Sequence, residues 1–571
     1  MSKKTPRIYT PVTTLRQMTL VNMQKRAEKD LFRYLLPDGT VAEVSYGDFH
    51  YTCEKLIAAF HAKGMTGKRI AIIGETCPEW VAIFCASVSA GLVAIPLDKE
   101  LVLDEIGGFL AVSKADAIFF SPKYAKKYTE LAACGALDTL EVIIPADLSA
   151  MPETDDARVV PFEDFIKGVS PEEVLPSEIM RRNPRGDMSV MLFTSGTTGT
   201  SKCVMLSERN LVSCAVAACA SVNFSEHDTT MSVLPMHHTY ELTITLAEMI
   251  YGITVCINDN LKHVLKNLKL FHPTALVLVP LFVSTFHKKI WDEVKKAGKE
   301  RQLKLALAAS NTLRFVGVDM REKLFSSITG AFGGNLEKII CGGAAMDPHC
   351  SKLFDALGIE VCEGYGITEC SPLIAVNPYY HRKTGSVGPA VPCCTVRIDH
   401  ETTDEEGHSV GEILVKGENV MIGYYDNPDA NRDAFTDDGY FKTGDLGYMD
   451  HDGYLFITGR KKTVIVLENG KNVFPEEIEE YLATIPAIKE CVVVGRTKEG
   501  AGEVLLTAVV VPNREEYPEG ESIEAIAEDI RHKVMDLNRK LPSFKQIRNM
   551  DIRETEFERT TSKKIKRYLV K

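Results

Sequence analysis

"WVAIFCASVSAGLVAIPL", residues 80–97, runs for 18 positions without a charge, and its reading decides what kind of protein this is. Such a run approaches the length of a membrane span. Its flanks point elsewhere. Pro78-Glu79 has the form of a helix first turn, Gly91 of a helix stop, and Leu92 to Leu97 of a short buried strand. Helix, turn and strand in succession make one step of a parallel-sheet domain, so no transmembrane helix is predicted.

The same alternation extends on both sides. "RIAIIGET", "AIFF" and "EVIIP" read as buried strands separated by helical segments such as Tyr51 to Lys63. Beyond the acidic stretch "MPETDDARVV" a second series begins, with "MSVMLFTSG", "TVCIN", "TALVLVP", "LRFVG" and "KIICGGAAMD" as its strands. Strands alternating with helices predict an α/β fold of two doubly wound parallel-sheet subdomains, about 1–180 and 181–384. From about Gly385 the segments "TVRIDHE", "GEILVKGE" and "GYLFITGR" are short and turn-punctuated, which predicts a small β-barrel-like unit over 385–460. These three parts, 1–460, form the expected N-terminal lobe. Past it, "IEEYLATIP" is amphipathic, "ECVVVGR" and "LLTAVVVP" are strand-like, and Ile523 to Asn538 reads as a long helix. Residues 461–571 are thus expected to form a small α+β C-terminal lobe.

Of 571 residues, 45% are hydrophobic and 25% charged, with a net charge of −12, so a general nucleic-acid binder with its basic excess is not expected. Fifteen cysteines are scattered with no CxxC pair, and no histidine cluster completes a zinc site. The N-terminal "MSKKTPRIYTPV" lacks the apolar core of a secretory signal. A reducing cytoplasm is the expected location.

Chemistry is concentrated in "LFTSGTTGTSKCVMLS", residues 192–207. Thr194, Ser195, Thr197 and Thr198 surround Gly196 and Gly199, and Lys202 follows. Hydroxyls, backbone N–H groups and an ammonium suit a polyphosphate; a polar surface turn is the plain alternative. A Walker loop is excluded, because Lys202 is followed by Cys203 rather than Ser or Thr. Further along, "CGGAAMD" (341–347) offers small residues after a strand, where a flat ring could lie. "EGYGITECSP" (363–372) supplies Tyr365 for stacking, Gly366 for close approach, Thr368 as a donor and Glu369 as a hard oxygen ligand for Mg2+. "GYFKTGDLGYMD" (439–450) holds Asp445, expected in a turn, and Arg460 begins "RKKTVIVLENG". An acidic side chain accepts hydrogen bonds from ribose hydroxyls.

In this order the segments resemble the acyl-adenylate-forming superfamily of AMP-binding enzymes, and "LPMHHTYE" (234–241) further resembles long-chain fatty acid CoA ligases. The resemblance covers nearly the whole chain. It implies that Thr194, Ser195, Gly196, Thr197, Thr198, Gly199 and Lys202 hold the ATP phosphates. Gly343, Ala344, Ala345 and Tyr365 would hold adenine, Glu363, Gly364 and Gly366 would belong to the same ATP/AMP site, and Asp445 and Arg460 would hold the ribose. Thr368 would reach the α-phosphate, while Glu369 and Thr194 would bind Mg2+. His238, beside His237, would sit between the acyl and phosphate sites. In "FERTTSKKIKRYLVK" the resemblance aligns Lys564 with a catalytic lysine, although Lys563 stands where glycine is usual and Glu558 where proline is. Likewise Ser201 and Cys203 replace a usual proline and glycine. Lys462 would be the hinge of a mobile C-terminal lobe and Gly470 would line the CoA passage.

The activity so implied is ATP- and Mg2+-dependent ligation of a medium- to long-chain fatty acid to CoA through acyl-AMP. Other acids, aryl or short-chain, and a carrier protein as acceptor are the alternatives. An oxygen-using, light-emitting relative and a silent binding protein are the rivals from other classes. All expected partners are small molecules, with peripheral membrane contact left open.

Overall fold

Arg69–Ile73 and Val93–Leu97 lie side by side in parallel, with Ile70 opposite Ala94 and Ile73 opposite Leu97. Between them runs the helix Pro78–Ser89, started by Pro78 and almost wholly buried. The uncharged stretch is therefore a helix and a central strand. No helix among the described residues is long and apolar enough to cross a membrane. The computed structural model describes residues 10–171, 187–194, 202–379, 381–403, 407–467, 472–497, 504–559 and 565–570. They divide into two units, the first made of the described residues within 10–194, 202–396 and 415–439, the second of those within 397–414 and 440–570.

Two large sheets make the first unit. One orders its strands Gly423–Tyr424, Lys202–Ser207, Met188–Thr194, Val93–Leu97, Arg69–Ile73, Ala117–Phe120 and Val142–Pro145. Only the pairings made by Lys202–Ser207 are antiparallel. The other orders Leu373–Val376, Glu360–Gly366, Lys338–Gly342, Ala275–Leu278, Thr229–Ser232, Thr254–Ile257, Asp30–Leu35 and Val41–Ser45. Here antiparallel pairs stand only at the two ends. Interior strands such as Ala117–Phe120 and Ala275–Leu278 are buried at every position, as parallel strands covered on both faces must be. The sheets are interleaved in sequence: Asp30–Leu35 belongs to the second, Met188–Ser207 to the first. The segment "LRFVG" is not a strand. It ends the helix Glu300–Phe315, whose upstream turns fix its conformation.

In the second unit, Phe441–Met449 and Leu455–Arg460 pair antiparallel within a four-stranded sheet. Ile488–Thr497, Val504–Pro512 and Asn549–Ile552 form a three-stranded sheet. Helices Pro475–Ala483 and Ile523–Asn538 pack Ile478, Leu482, Ile526 and Ile530 against Val493, Leu506 and Val510. All fifteen cysteines are free thiols.

Candidate active site

The hydroxyl-rich segment is framed by a β-hairpin. Thr194 ends one strand, Lys202 begins the next, and the two are register partners, with the Thr194 hydroxyl donating to the Lys202 carbonyl at 3.3 Å. Ser195, Gly196, Thr197, Thr198 and Gly199 lie outside the described residues. Lys202 Nζ stands 4.4 Å over the centroid of the Tyr424 ring. That ring's hydroxyl donates a 2.9 Å hydrogen bond to Glu369 Oε1. Tyr424 is held there because Gly423–Tyr424 pairs with Lys202–Ser207, Tyr424 opposite Val204. Burial, reinforced by the Glu369 charge, raises the Tyr424 phenol, so it stays a donor. One aromatic side chain thus ties Lys202 to Glu369. Sequence reasoning missed it; its signal, the first aromatic of "MIGYY" (421–425), has no local feature to set it apart.

At the carboxyl ends of two adjacent parallel strands, Gly342 faces Gly364. A Cβ at Gly342 would come 2.9 Å from the Gly364 carbonyl oxygen, and one at Gly366 would come 2.2 Å from that of Pro372. Only glycine fits the second position, where the Ile367 N–H donates to the Pro372 carbonyl at 2.9 Å and turns the chain into the short 3-10 helix Thr368–Cys370. Gly343, Ala344 and Ala345 are exposed immediately past their strand, while Glu363, Tyr365, Thr368 and Glu369 are half-buried. The Ser351 hydroxyl lies 3.5 Å from Glu363 Oε1. The expected ring-binding residues are therefore neighbours at one sheet end, where ligands of open α/β sheets bind.

His238 caps the helix Thr239–Tyr251, and its ring lies 4.2 Å from that of His237. His237 Nε2 is 3.4 Å from Asp98 Oδ2, both side chains nearly buried. The adjacent Glu241 points inward, where Ser232 donates to it. Burial pushes its carboxyl up to about 8. Burial thus favours its neutral form, and the carboxyl is engaged with Ser232.

In the second unit Asp445 and Arg460 are cross-strand partners, with Arg460 Nε 2.8 Å from Asp445 Oδ1. Asp445 sits within a strand, not in the expected turn, because this pairing continues through it; Gly444, at φ +71, supplies the local kink. The Thr443 hydroxyl donates to the Ile413 carbonyl and accepts from the Asp445 N–H. Lys461 donates to Glu412, and exposed Lys462 follows in a turn closed by the Thr463 N–H to the Arg460 carbonyl at 3.0 Å. Near the C-terminus Arg559 pairs with Glu490 at 2.5 Å and bridges to Ile565. Lys563, Lys564 and Gly470 lie outside the described residues.

This fold with these residues defines an acyl-adenylate-forming enzyme. Residues 21–425 match the AMP-binding enzyme family and residues 462–571 the AMP-binding enzyme C-terminal domain, so the chain belongs to that family. Within it, the chain resembles the long-chain fatty acid CoA ligases. The long-chain-fatty-acid–CoA ligase FadD15 of Mycobacterium bovis is 30% identical over 458 residues, 77% of this chain and 73% of its own. The probable 4-coumarate–CoA ligase 1 of Dictyostelium discoideum is 28% identical over 543 residues, 92% and 90% of the two chains. Among solved structures, ATP-bound MatB from Rhodopseudomonas palustris has the same fold, with a TM-score of 0.74 over 98% of each chain at 24% identity.

Proposed function

We propose that the protein is an ATP-dependent fatty acid:CoA ligase acting on medium- to long-chain acids. The observation that carries this reading is the linked set Lys202, Tyr424 and Glu369, a cation and a carboxylate oriented by one phenol. A carboxylate substrate and a polyphosphate repel each other, and such a set offsets both charges. A carboxylate oxygen of the acid attacks the α-phosphorus of ATP, the bond to the bridging oxygen breaks, and pyrophosphate leaves. The thiol sulfur of CoA then attacks the acyl carbonyl carbon and AMP departs.

In this scheme Thr194 to Gly199 and Lys202 hold the phosphates and Thr368 donates to the α-phosphate. Gly343 to Ala345 and Tyr365 take adenine, with Glu363, Gly364 and Gly366 in the same AMP site, and Asp445 and Arg460 take the ribose. Lys564 bridges the acyl carboxylate and the phosphate, and His238 borders the acyl group. Residues 461–571 turn about Lys462, and Gly470 borders the thiol. Hard oxygens are the donors Mg2+ prefers, and the half-buried Glu369 carboxylate with the Thr194 hydroxyl fits it. Held by these two residues, Mg2+ would supply neutralisation of the phosphate charge.

An uncharged acyl tail is supported by the burial of Glu241, which is engaged with Ser232, and by the relatives named for long-chain fatty acids. The match to a probable 4-coumarate ligase over 92% of the chain favours an aryl acid as the second reading. AMP release should be measured with acids from acetate to stearate and with 4-coumarate, with and without CoA. Medium- and long-chain acids should drive CoA-dependent release. Release driven by the aryl acid alone would transfer the assignment to the second reading, and no release with any acid would remove both.

A further inference from the structure

Residues 288–323 of the first unit combine a basic excess with exposed apolar side chains. They hold ten Lys and Arg against five Asp and Glu, a net +5 in a protein of net −12. The same segment carries the most exposed aromatic side chain among the large hydrophobics, Phe315 at 92%, with Leu305 at 71% and Val316 at 68%. Val318 and Leu324 nearby are also exposed. The helix Glu300–Phe315 buries only Leu303 and Ser310. Helical spacing puts Leu305, Ala309 and Thr312 on the side away from these two, and all three are exposed. Arg301 and Lys304 flank that stripe, both exposed. Val316 continues it past the helix end, while Phe315 and Val318 project beside it.

A stripe of apolar side chains costs free energy in water unless something covers it. The candidates differ in charge. A second protein would leave the basic excess to be matched by an acidic partner, whereas an anionic bilayer accepts apolar side chains and meets the Lys and Arg heads with lipid phosphates. Arg301, Lys299 and Lys323 make no ion pair with any described residue, so their charge is available to such a surface. We infer that the helix Glu300–Phe315 and the turn after it form a peripheral docking surface for an anionic phospholipid membrane. Phe315, Val316 and Leu305 enter the boundary between headgroups and acyl chains, and Arg301 and Lys304 remain among the phosphates. This surface stands independently of the ligase reading, since its binding needs neither ATP nor an acid.

The test is co-sedimentation of the full chain with vesicles of phosphatidylcholine alone and of phosphatidylcholine mixed with phosphatidylglycerol. Binding is expected to the mixed vesicles and to weaken as salt is raised. The double substitution Phe315→Ser with Val316→Ser should lower partitioning about tenfold or more, and Arg301→Glu or Lys304→Glu about fivefold each. Phe315, Val316 and Arg301 are exposed, so an unchanged thermal midpoint and unchanged ATP–pyrophosphate exchange should accompany the loss in their variants; Lys304, whose ammonium lies 5.9 Å over the Trp291 ring, is read by partitioning alone. Wild-type protein that ignores the mixed vesicles, or variants that bind like wild type, would overturn the inference. So would a concentration-dependent dimer that the Phe315 and Val316 changes abolish, since the patch would then be a contact between two copies.

Discussion

Tyr424 donates a 2.9 Å hydrogen bond to Glu369 across 55 residues of sequence, while its ring lies beneath the Lys202 ammonium. Removing the hydroxyl leaves the ring and therefore separates the two contacts. Tyr424→Phe should raise the Mg2+ concentration needed for half-maximal AMP release about tenfold, the scale of a lost hydrogen bond to a charged group. The KM for ATP should change little. Tyr424→Ala should raise that KM as well, because Lys202 then loses its aromatic support. Equal effects of the two variants on both quantities would break the proposed link.

The Asp445–Arg460 pair is asymmetric in exposure, 5% for the aspartate side chain against 43% for the arginine. Arg460→Ala removes a partner from a buried carboxylate and should cost about 1–3 kcal/mol of stability. Asp445→Asn leaves a guanidinium already in water and should cost less than about 1 kcal/mol, given solvent screening. Urea unfolding of both variants checks the order. Both should weaken ATP–pyrophosphate exchange, since each has a proposed ribose contact.

Much of this arrangement was legible in sequence where the signal is local. Pro78 and Gly91 bracket a helix, and the strand Val93–Leu97 follows as expected. Gly366 stands at the close backbone approach expected of it. Three features escaped because their causes are distant. "LRFVG" looks like a strand in a five-residue window, yet it completes a helix begun at Glu300. Asp445 looks like a turn residue until Arg460 is seen opposite it. Tyr424 acquires its position from a strand more than two hundred residues earlier. The interleaving of the two sheets is hidden for the same reason, since strand partners are chosen by tertiary packing.

Glu241 gives a pH prediction. Burial pushes its folded carboxyl up to about 8, against about 4.3 in the unfolded chain. Between those values the unfolded chain has released a proton the native state keeps, so stability falls as pH rises through that window, by at most about 1.4 kcal/mol per pH unit. Above the upper value the loss levels off. Glu241→Gln keeps a hydrogen-bonding partner for Ser232 without the titration. Thermal midpoints between pH 5 and 8 should therefore decline less in the variant than in wild type, with activity on fatty acids retained. Parallel declines in the two proteins would remove Glu241 as the cause.

Gly366 and Gly330 form a matched test of backbone approach. A methyl at Gly366 would lie 2.2 Å from the Pro372 carbonyl oxygen, whereas one at Gly330 would meet nothing within 4 Å. Gly366→Ala must move the backbone that carries Thr368 and Glu369. It should cost more than about 2 kcal/mol and reduce adenylation at least a hundredfold, if the variant folds. Gly330→Ala should leave both unchanged. Comparable behaviour of the two variants in a thermal melt would show that the turn tolerates displacement.

Two adjacent lysines, 563 and 564, compete for one proposed role, and the half-reactions separate them. A lysine that bridges the acid and the phosphate acts only while the adenylate is being made. Lys564→Ala should therefore nearly abolish fatty-acid-driven ATP–pyrophosphate exchange, while thioester formation from supplied acyl-AMP and CoA continues. Lys563→Ala should leave both steps close to wild type. If Lys563→Ala alone loses exchange, the role moves by one residue. If either variant loses both steps equally, the lysine supports the C-terminal lobe as a whole and has no place in the attack on the α-phosphorus.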